Sequence, residues 1–152
     1  MSMKRRTFLK GTVAAVGVAA AAGLLSPRAV LAAWPKAAFD AKSMDDATAA
    51  AGLSGFEHSD DIEIKAPDIA ENGAVVPISV TSGMKAESIS IFASANGTPL
   101  AATFDLGAKA QSFVSVRIKM GKTSDVYAIV KSGGKTFANK KQVKVTIGGC
   151  GG

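Results

Sequence analysis

One cysteine, Cys150, is the residue of this chain whose type and position most clearly suggest chemistry. It is the only cysteine among 152 residues and lies two residues before the last one. A single thiol cannot form a disulfide within its own chain, so it is either reactive or paired with another molecule. Four glycines surround it: Gly148, Gly149, Gly151 and Gly152. Because glycine loses the most entropy on ordering, the sequence predicts a flexible arm over 148–152.

The composition of this arm indicates a thiol that is presented to other proteins rather than a catalytic thiol. Fully extended, the arm spans about 17 Å, and its lack of bulky side chains lets the sulfur enter a narrow channel in another protein. The terminal carboxylate of Gly152 disfavours the thiolate, and no basic residue is close in sequence. Catalytic cysteines are activated by His, Lys or helix N-termini. We therefore predict that Cys150 carries a substrate and that partner enzymes activate it.

The N-terminal 32 residues have the pattern of an export signal. A basic start is followed by an apolar stretch, 11–25, interrupted only by Thr12. This stretch is too short and too rich in Ala and Gly for a good membrane span, and small residues follow it. We expect cleavage after Ala32, with Ala33 almost as good, and hence no membrane attachment of the mature chain.

The paired arginines Arg5 and Arg6 identify the class of signal. Together with residues 7–10, Thr-Phe-Leu-Lys, they match the twin-arginine export pattern. The twin-arginine pathway moves folded proteins, so the sequence predicts a periplasmic protein that folds in the cytoplasm. No haem-attachment motif is present, and the single His58 beside one cysteine rules out a Cys/His zinc site. With no cofactor or metal predicted, a folded partner is the better reason for folded export.

Removal of the signal also removes the basic character of the chain. The full sequence has 18 Lys and Arg, 12 Asp and Glu, and a net charge of +6. The signal contains five basic residues and no acidic one, which leaves 13 against 12 and a net charge of +1 for the mature chain. This balance gives no ground for nucleic-acid binding, which needs a basic stripe on the mature domain.

The mature chain reads as a short helical segment, 33–55, followed by a β domain, 56–147. Ser43 is a candidate N-cap, and Gly52 and Gly55 end the helical pattern. Seven short strands follow, separated by turn signals: 62–65, 74–81, 88–92, 101–106, 112–119, 126–130 and 143–147. This spacing predicts an all-β fold, an immunoglobulin-like antiparallel β-sandwich with an N-terminal helix and a flexible C-terminal Gly-Cys tail.

Charged residues elsewhere suggest solvated surface. His58, Asp60 and Asp61 fall in a polar turn, where a solvated loop is expected rather than a ligand site. Lysines gather before the tail, where they protect a strand edge or, alternatively, guide an anionic arm or an acidic partner. They are Lys135, Lys140, Lys141 and Lys144.

From the residues alone, three functions stay open. The first is a covalent carrier, the second an exported β-sandwich binding module whose exposed cysteine forms an intermolecular disulfide, and the third a thiol enzyme. Adducts on Cys150 distinguish the carrier, a dimer distinguishes the disulfide module, and turnover by the isolated chain distinguishes the enzyme.

The tail resembles the signature ending of the SoxY family of bacterial thiosulfate oxidation over residues 143–152, Val-Lys-Val-Thr-Ile-Gly-Gly-Cys-Gly-Gly. The segment 66–77, the twin-arginine signal and the mature length are also similar to that family. The resemblance covers essentially the whole chain, and its tail motif is highly specific.

This resemblance implies a carrier without catalytic machinery or bound metal. Thiosulfate-derived cargo would be conjugated to Cys150 by a c-type cytochrome complex. A manganese-dependent hydrolase would release sulfate, and a sulfane dehydrogenase would oxidise the remaining sulfur. It also implies a heterodimer with a SoxZ-like subunit that has no signal of its own, which accounts for folded co-export.

Overall fold

Two β-sheets and two short helices make up the computed structural model, which describes residues 35–147. The helices are α1 (Lys36–Asp40) and α2 (Met44–Ala50). The strands are β1 (Glu57–His58), β2 (Ile62–Lys65), β3 (Ile69–Ala70), β4 (Val76–Ser82), β5 (Ser88–Ala93), β6 (Leu100–Asp105), β7 (Phe113–Ile118), β8 (Ser124–Ser132) and β9 (Lys135–Val145). The fold is therefore mostly β.

The larger sheet has six strands in the order β1-β9-β8-β5-β6, with β3 also paired to β9. The smaller sheet has three strands in the order β2-β4-β7. The two sheets pack face to face, which confirms the predicted β-sandwich. Two pairings depart from a purely antiparallel arrangement, because β1 and β3 both run parallel to β9. Each of these two-residue strands flanks β2, so the chain crosses between the sheets on both sides of it.

The core between the sheets follows from the alternation of apolar and polar residues along the strands. In β4, Val76, Ile78 and Val80 point inward and are fully buried, whereas Pro77 and Thr81 are exposed. They pack in one cluster with apolar residues of the larger sheet, among them Ile89 and Ile91 of β5. Burial of each such side chain contributes roughly 1.5–3 kcal/mol, so this cluster provides the rigid base of the domain.

The helices cover the outer face of the larger sheet. Phe92 of β5 and Ile129 of β8 are fully buried there, against Ala38 of α1 and Ala47 of α2. Strand β5, which lies between β8 and β6, is consequently buried on both faces, and its polar Ser90 hydrogen-bonds the Thr103 hydroxyl at 2.8 Å. A sheet covered on both sides in this way has little freedom to bend.

The helical segment differs from a single continuous helix. Ala41 is extended (φ −60°, ψ 141°), and Ser43 then caps α2 by accepting a hydrogen bond from the Asp46 N–H. The capping residue requires an extended conformation, so the chain must leave the helix before it. Gly52 and Gly55 follow with φ of 67° and 70°, as expected for residues that end a helix.

The seven predicted strands are all present, with shifted ends. The largest shift concerns the last one, because β9 begins at Lys135 and is 11 residues long. Pro77 lies in β4, the middle strand of its sheet, yet β2 ends opposite Ser79. At Pro77 the strand therefore has a neighbour on one side only, where a residue without an N–H is tolerated.

Candidate functional site

The predicted site residues lie outside the described part of the chain. This holds for Cys150, for the arm glycines Gly148, Gly149, Gly151 and Gly152, and for Arg5 and Arg6 of the export signal. The structure does describe the place from which the arm starts. We call residues 145–147, which begin two residues after the buried Val143 of β9, the arm root.

Hydrogen bonds hold the arm root against two loops. The Val145 N–H donates to the Thr123 Oγ1 at 2.9 Å, and the Thr146 N–H donates to the Ala70 carbonyl at 3.1 Å. The Ile147 carbonyl accepts from the Gly73 N–H at 2.8 Å. Every residue of the arm root thus has a backbone hydrogen bond to another segment, so the arm is anchored as far as Ile147.

The loop that binds Ile147 is itself fixed. The Asn72 side chain accepts from the Ala74 N–H at 2.9 Å, which forms a local turn around Gly73. The Gly73 carbonyl accepts from the N–H of Met120 at 2.7 Å, and the Met120 side chain is fully buried in the core. The anchoring of the arm root therefore extends down to the hydrophobic core.

Large apolar side chains are exposed around the arm root. Ile69 in β3 is 56% exposed, Val75 at the end of the adjoining loop 52%, and Ile147 itself 68%. We call these three residues the apolar collar. One other large apolar residue is exposed among residues 35–147, Phe113 at 50%, and it lies at the opposite end of the sandwich beside Ser82 and Ser112.

The sequence analysis did not identify the collar. Ile69 and Val75 belong to the segment 66–77 that resembles the SoxY family, and Val75 was assigned to a strand. Their closeness to the Asn72–Gly73 turn was a usable signal, because apolar residues beside an exposed turn have no sheet face to bury them. Only the pairing of β3 with β9 brings them to the arm root.

The lysines near β9 divide into two groups. Lys140 pairs with Asp125 at 2.9 Å, and Lys141 pairs with Asp68 at 3.0 Å. The hydrogen bond to Asp125, aided by the neighbouring Tyr127, raises the pKa of Lys140 above its ordinary value. Lys144 is exposed beside the arm root and forms no ion pair within residues 35–147. It therefore remains available to a partner or an anionic arm.

His58 lies in β1, paired with Ala138 of β9, rather than in the predicted polar turn, and its side chain is exposed as predicted. His58 Nε2 lies 3.0 Å from Asp60 Oδ1, and both side chains are largely exposed. In the described part of the chain, no three His, Cys, Asp or Glu residues gather as metal ligands would. Between residues 35 and 147, no helix has the length and apolar character needed to cross a membrane.

The profile of the family described as "Sulfur oxidation protein SoxY" matches residues 47–150 of the chain. The chain belongs to the SoxY family. The match runs from α2 through the whole sandwich and ends at Cys150, so it includes the candidate site residue.

One solved structure agrees with this SoxY assignment, and a second shares the fold. The sulfur carrier protein SoxY from Chlorobium limicola f thiosulfatophilum is 42% identical, with a TM-score of 0.60 over 69% of this chain and 97% of that one. A superoxide reductase (neelaredoxin) from Ignicoccus hospitalis has a TM-score of 0.53 at 16% identity, over 59% of this chain and 94% of its own. At that identity the second similarity concerns the fold alone. No curated protein sequence matches the chain significantly.

Proposed function

We propose that this SoxY-family protein is a periplasmic carrier that holds thiosulfate-derived sulfur covalently on Cys150. The arm 148–152 presents the cargo to sulfur-oxidising enzymes, and the carrier itself performs no catalysis. The observation that supports this most directly is the family match through residue 150, together with 42% identity to a sulfur carrier protein.

The chemistry proposed at Cys150 is the one that the resemblance to the SoxY family implies. A c-type cytochrome complex joins the Cys150 sulfur to the sulfane sulfur of thiosulfate, while the thiol proton leaves and two electrons pass one at a time to the haems of that complex. Hydrolysis of the terminal sulfur–sulfur bond by water then releases sulfate and leaves a persulfide. A sulfane dehydrogenase oxidises the persulfide sulfur to a sulfonate, taking three oxygens from water and passing six electrons to its own electron acceptor. A second hydrolysis then releases sulfate and returns the free thiol. The carrier contributes one sulfur atom and a slim arm.

The proposal includes the assembly and location of the carrier. A SoxZ-like subunit forms a heterodimer with it, and the signal 1–32 with Arg5 and Arg6 directs the folded pair through the twin-arginine pathway. The domain consists of a helical segment, 33–55, and a sandwich of immunoglobulin type, 56–147. The parallel β1 and β3 are additions at the edge of this sandwich.

Intact-mass spectrometry of the carrier isolated from thiosulfate-grown cells tests this function. We expect sulfur and sulfonate adducts on the wild-type chain and none on Cys150→Ser. We also expect Cys150→Ser to abolish thiosulfate-dependent electron transfer in the reconstituted system, because serine cannot form a sulfur–sulfur bond. The variant should unfold at the same denaturant concentration as the wild type, since the arm glycines add nothing to the core.

Two other outcomes would refute the carrier function. A wild-type chain found only as a disulfide-linked dimer, without adducts, would indicate a binding module. Turnover of thiosulfate by the isolated chain would indicate a thiol enzyme.

A further inference from the structure

The length of the arm limits how far an enzyme can stay from the arm root. Ile147 is the last described residue, and its carbonyl accepts a hydrogen bond from the Gly73 N–H. Cys150 is three residues beyond it in the sequence. Fully extended, those residues span about 10 Å. A reactive centre that reaches the Cys150 sulfur inside a channel therefore brings the mouth of that channel against the surface around Ile147.

That surface is the apolar collar. Ile69, Val75 and Ile147 lie on three segments that the hydrogen bonds of the arm root join together, and each is more than half exposed. Exposed apolar residues are normal when they occur singly, whereas their concentration at one place marks an interaction surface. Three of the four large exposed apolar residues in the described range belong to the collar.

The other possible occupants fit the collar poorly. The arm itself consists of four glycines and one cysteine, so it lacks the apolar side chains needed to cover three large residues. A second copy docked collar to collar would place two arm roots against each other and would keep both cysteines out of any channel.

We propose that the apolar collar is the docking surface for the channel mouth of the enzymes that act on Cys150. This inference rests on the proposed carrier function. The matching rim of the enzyme carries apolar side chains opposite Ile69, Val75 and Ile147. One surface serves successive enzymes, so each contact is small and release is fast.

Charged residues surround the apolar collar on the carrier. Lys122 and Lys144 are exposed next to Thr123 and Val145, the two residues joined by the hydrogen bond at the arm root. Neither forms an ion pair within residues 35–147, and the exposed carboxylates nearby are those of Glu71 and Asp68, of which Asp68 pairs with Lys141. Carboxylates on the enzyme rim opposite these lysines would speed association and make it sensitive to salt.

The test uses the carrier bound to its partner subunit and the purified sulfate-releasing hydrolase from the same source. Thiosulfate-loaded carriers with Ile69→Ser, Val75→Ser or Ile147→Ser are compared with Phe113→Ser, which removes an equally exposed apolar side chain at the other end. We expect kcat/KM for sulfate release to fall about three- to tenfold for each collar variant, through KM. The Phe113→Ser carrier should match the wild type.

A competition experiment separates docking from cargo chemistry. The Cys150→Ser carrier cannot be loaded, yet it should inhibit sulfate release from the wild-type carrier. Adding Val75→Ser should weaken that inhibition about three- to tenfold, as it does kcat/KM. Replacement of Lys122 and Lys144 by Ala should reduce the dependence of KM on salt, while Lys131→Ala with Lys135→Ala should not. Equal inhibition by Cys150→Ser with and without Val75→Ser would overturn the docking proposal.

Three further results would refute either the docking inference or the carrier function. If collar variants release the partner subunit on size-exclusion chromatography, the collar is the subunit interface and the docking proposal is wrong. If the wild-type carrier acquires no sulfur adduct in the loading step, measured by intact mass, the carrier function itself is refuted. A loaded wild type whose turnover is insensitive to all three collar substitutions refutes only the docking inference.

Discussion

The two ends of the sandwich are closed by different means. At one end, Gly133 and Gly134 join β8 to β9 in a tight hairpin, with φ of 58° and 76°. At the other end β9 runs out to the arm root, which is held by hydrogen bonds to Thr123, Ala70 and Gly73. We call these the hairpin end and the root end. The hairpin end exposes one large apolar residue, Phe113, and the root end exposes the three residues of the apolar collar.

This difference shows how one long strand serves two purposes. The hairpin is a local structure, because its shape is determined by two glycines and the pairing of adjacent strands. The arm root is non-local, since its partners come from segments 22 to 76 residues away along the chain. The root end therefore combines a firmly held backbone with exposed apolar side chains, as expected for the fixed base of the proposed carrier arm.

The largest expected change in the free energy of unfolding concerns Met120, which lies beneath the arm root. Met120 is fully buried, and its N–H donates to the Gly73 carbonyl at 2.7 Å. Met120→Ala should lower the free energy of unfolding by about 2–5 kcal/mol, since it leaves a cavity in the core. Urea unfolding followed by circular dichroism measures this. Lys122→Ala, two residues away and exposed, is the control and should change the value by less than about 0.5 kcal/mol.

A loss of less than about 1 kcal/mol for Met120→Ala would show that the loops of the root end are not continuous with the core. The contrast between a held backbone and exposed side chains would then be wrong.

A smaller effect is expected at the hairpin end. Gly134 has φ of 76°, and a Cβ added there meets no atom within 4 Å, so the cost of substitution comes from the backbone alone. Gly134→Ala should therefore destabilise the fold by roughly 1–2 kcal/mol. Gly97→Ala is the matched control, because its site is equally open and its φ is not in the left-handed region. Differential scanning calorimetry compares the two variants.

The hairpin comparison also has a functional side. Sulfate release from the loaded carrier should be unchanged by Gly134→Ala at temperatures where the variant is folded. A fall in kcat/KM without unfolding would place part of the enzyme contact at the hairpin end, against the docking surface proposed here.

Local sequence signals predicted the elements that depend on local chemistry. The hairpin glycines, the Ser43 cap and the alternation in β2 and β4 each correspond to a physical preference of a few neighbouring residues. The strands β1 and β3 were not predicted, because two residues are too few to show a period. Their parallel pairing with β9 depends on tertiary contacts alone.

The candidate site likewise has one part that local sequence predicts and one part that depends on tertiary contacts. Cys150 and its glycines are recognisable from residue types, because an isolated thiol among glycines is rare in a folded chain. For the collar, the Asn72–Gly73 turn could have indicated that Ile69 and Val75 are exposed, but their position beside the arm root depends on tertiary contacts such as the pairing of β3 with β9. The lysines differ from the collar, because the sequence suggested a cluster that the structure divides. Of the four lysines grouped by the sequence, Lys140 and Lys141 pair with carboxylates.

The smallest expected effect concerns the arm root itself. The Thr123 Oγ1 accepts from the Val145 N–H at 2.9 Å, and valine has nearly the same shape without the acceptor. Thr123→Val should lower the free energy of unfolding by about 1 kcal/mol. It should also speed amide hydrogen exchange at Val145 relative to Val143, whose side chain is fully buried in the core.

Thr81→Val provides the matched control. Thr81 is also exposed in a strand, at the hairpin end, and its hydroxyl forms no hydrogen bond within the described range. This substitution should leave both stability and exchange unchanged, because it removes no partner from a backbone group. If Thr123→Val and Thr81→Val behaved alike, the hydrogen bond from Val145 to Thr123 would contribute nothing, and the arm root would be held by the backbone hydrogen bonds of Thr146 and Ile147 alone.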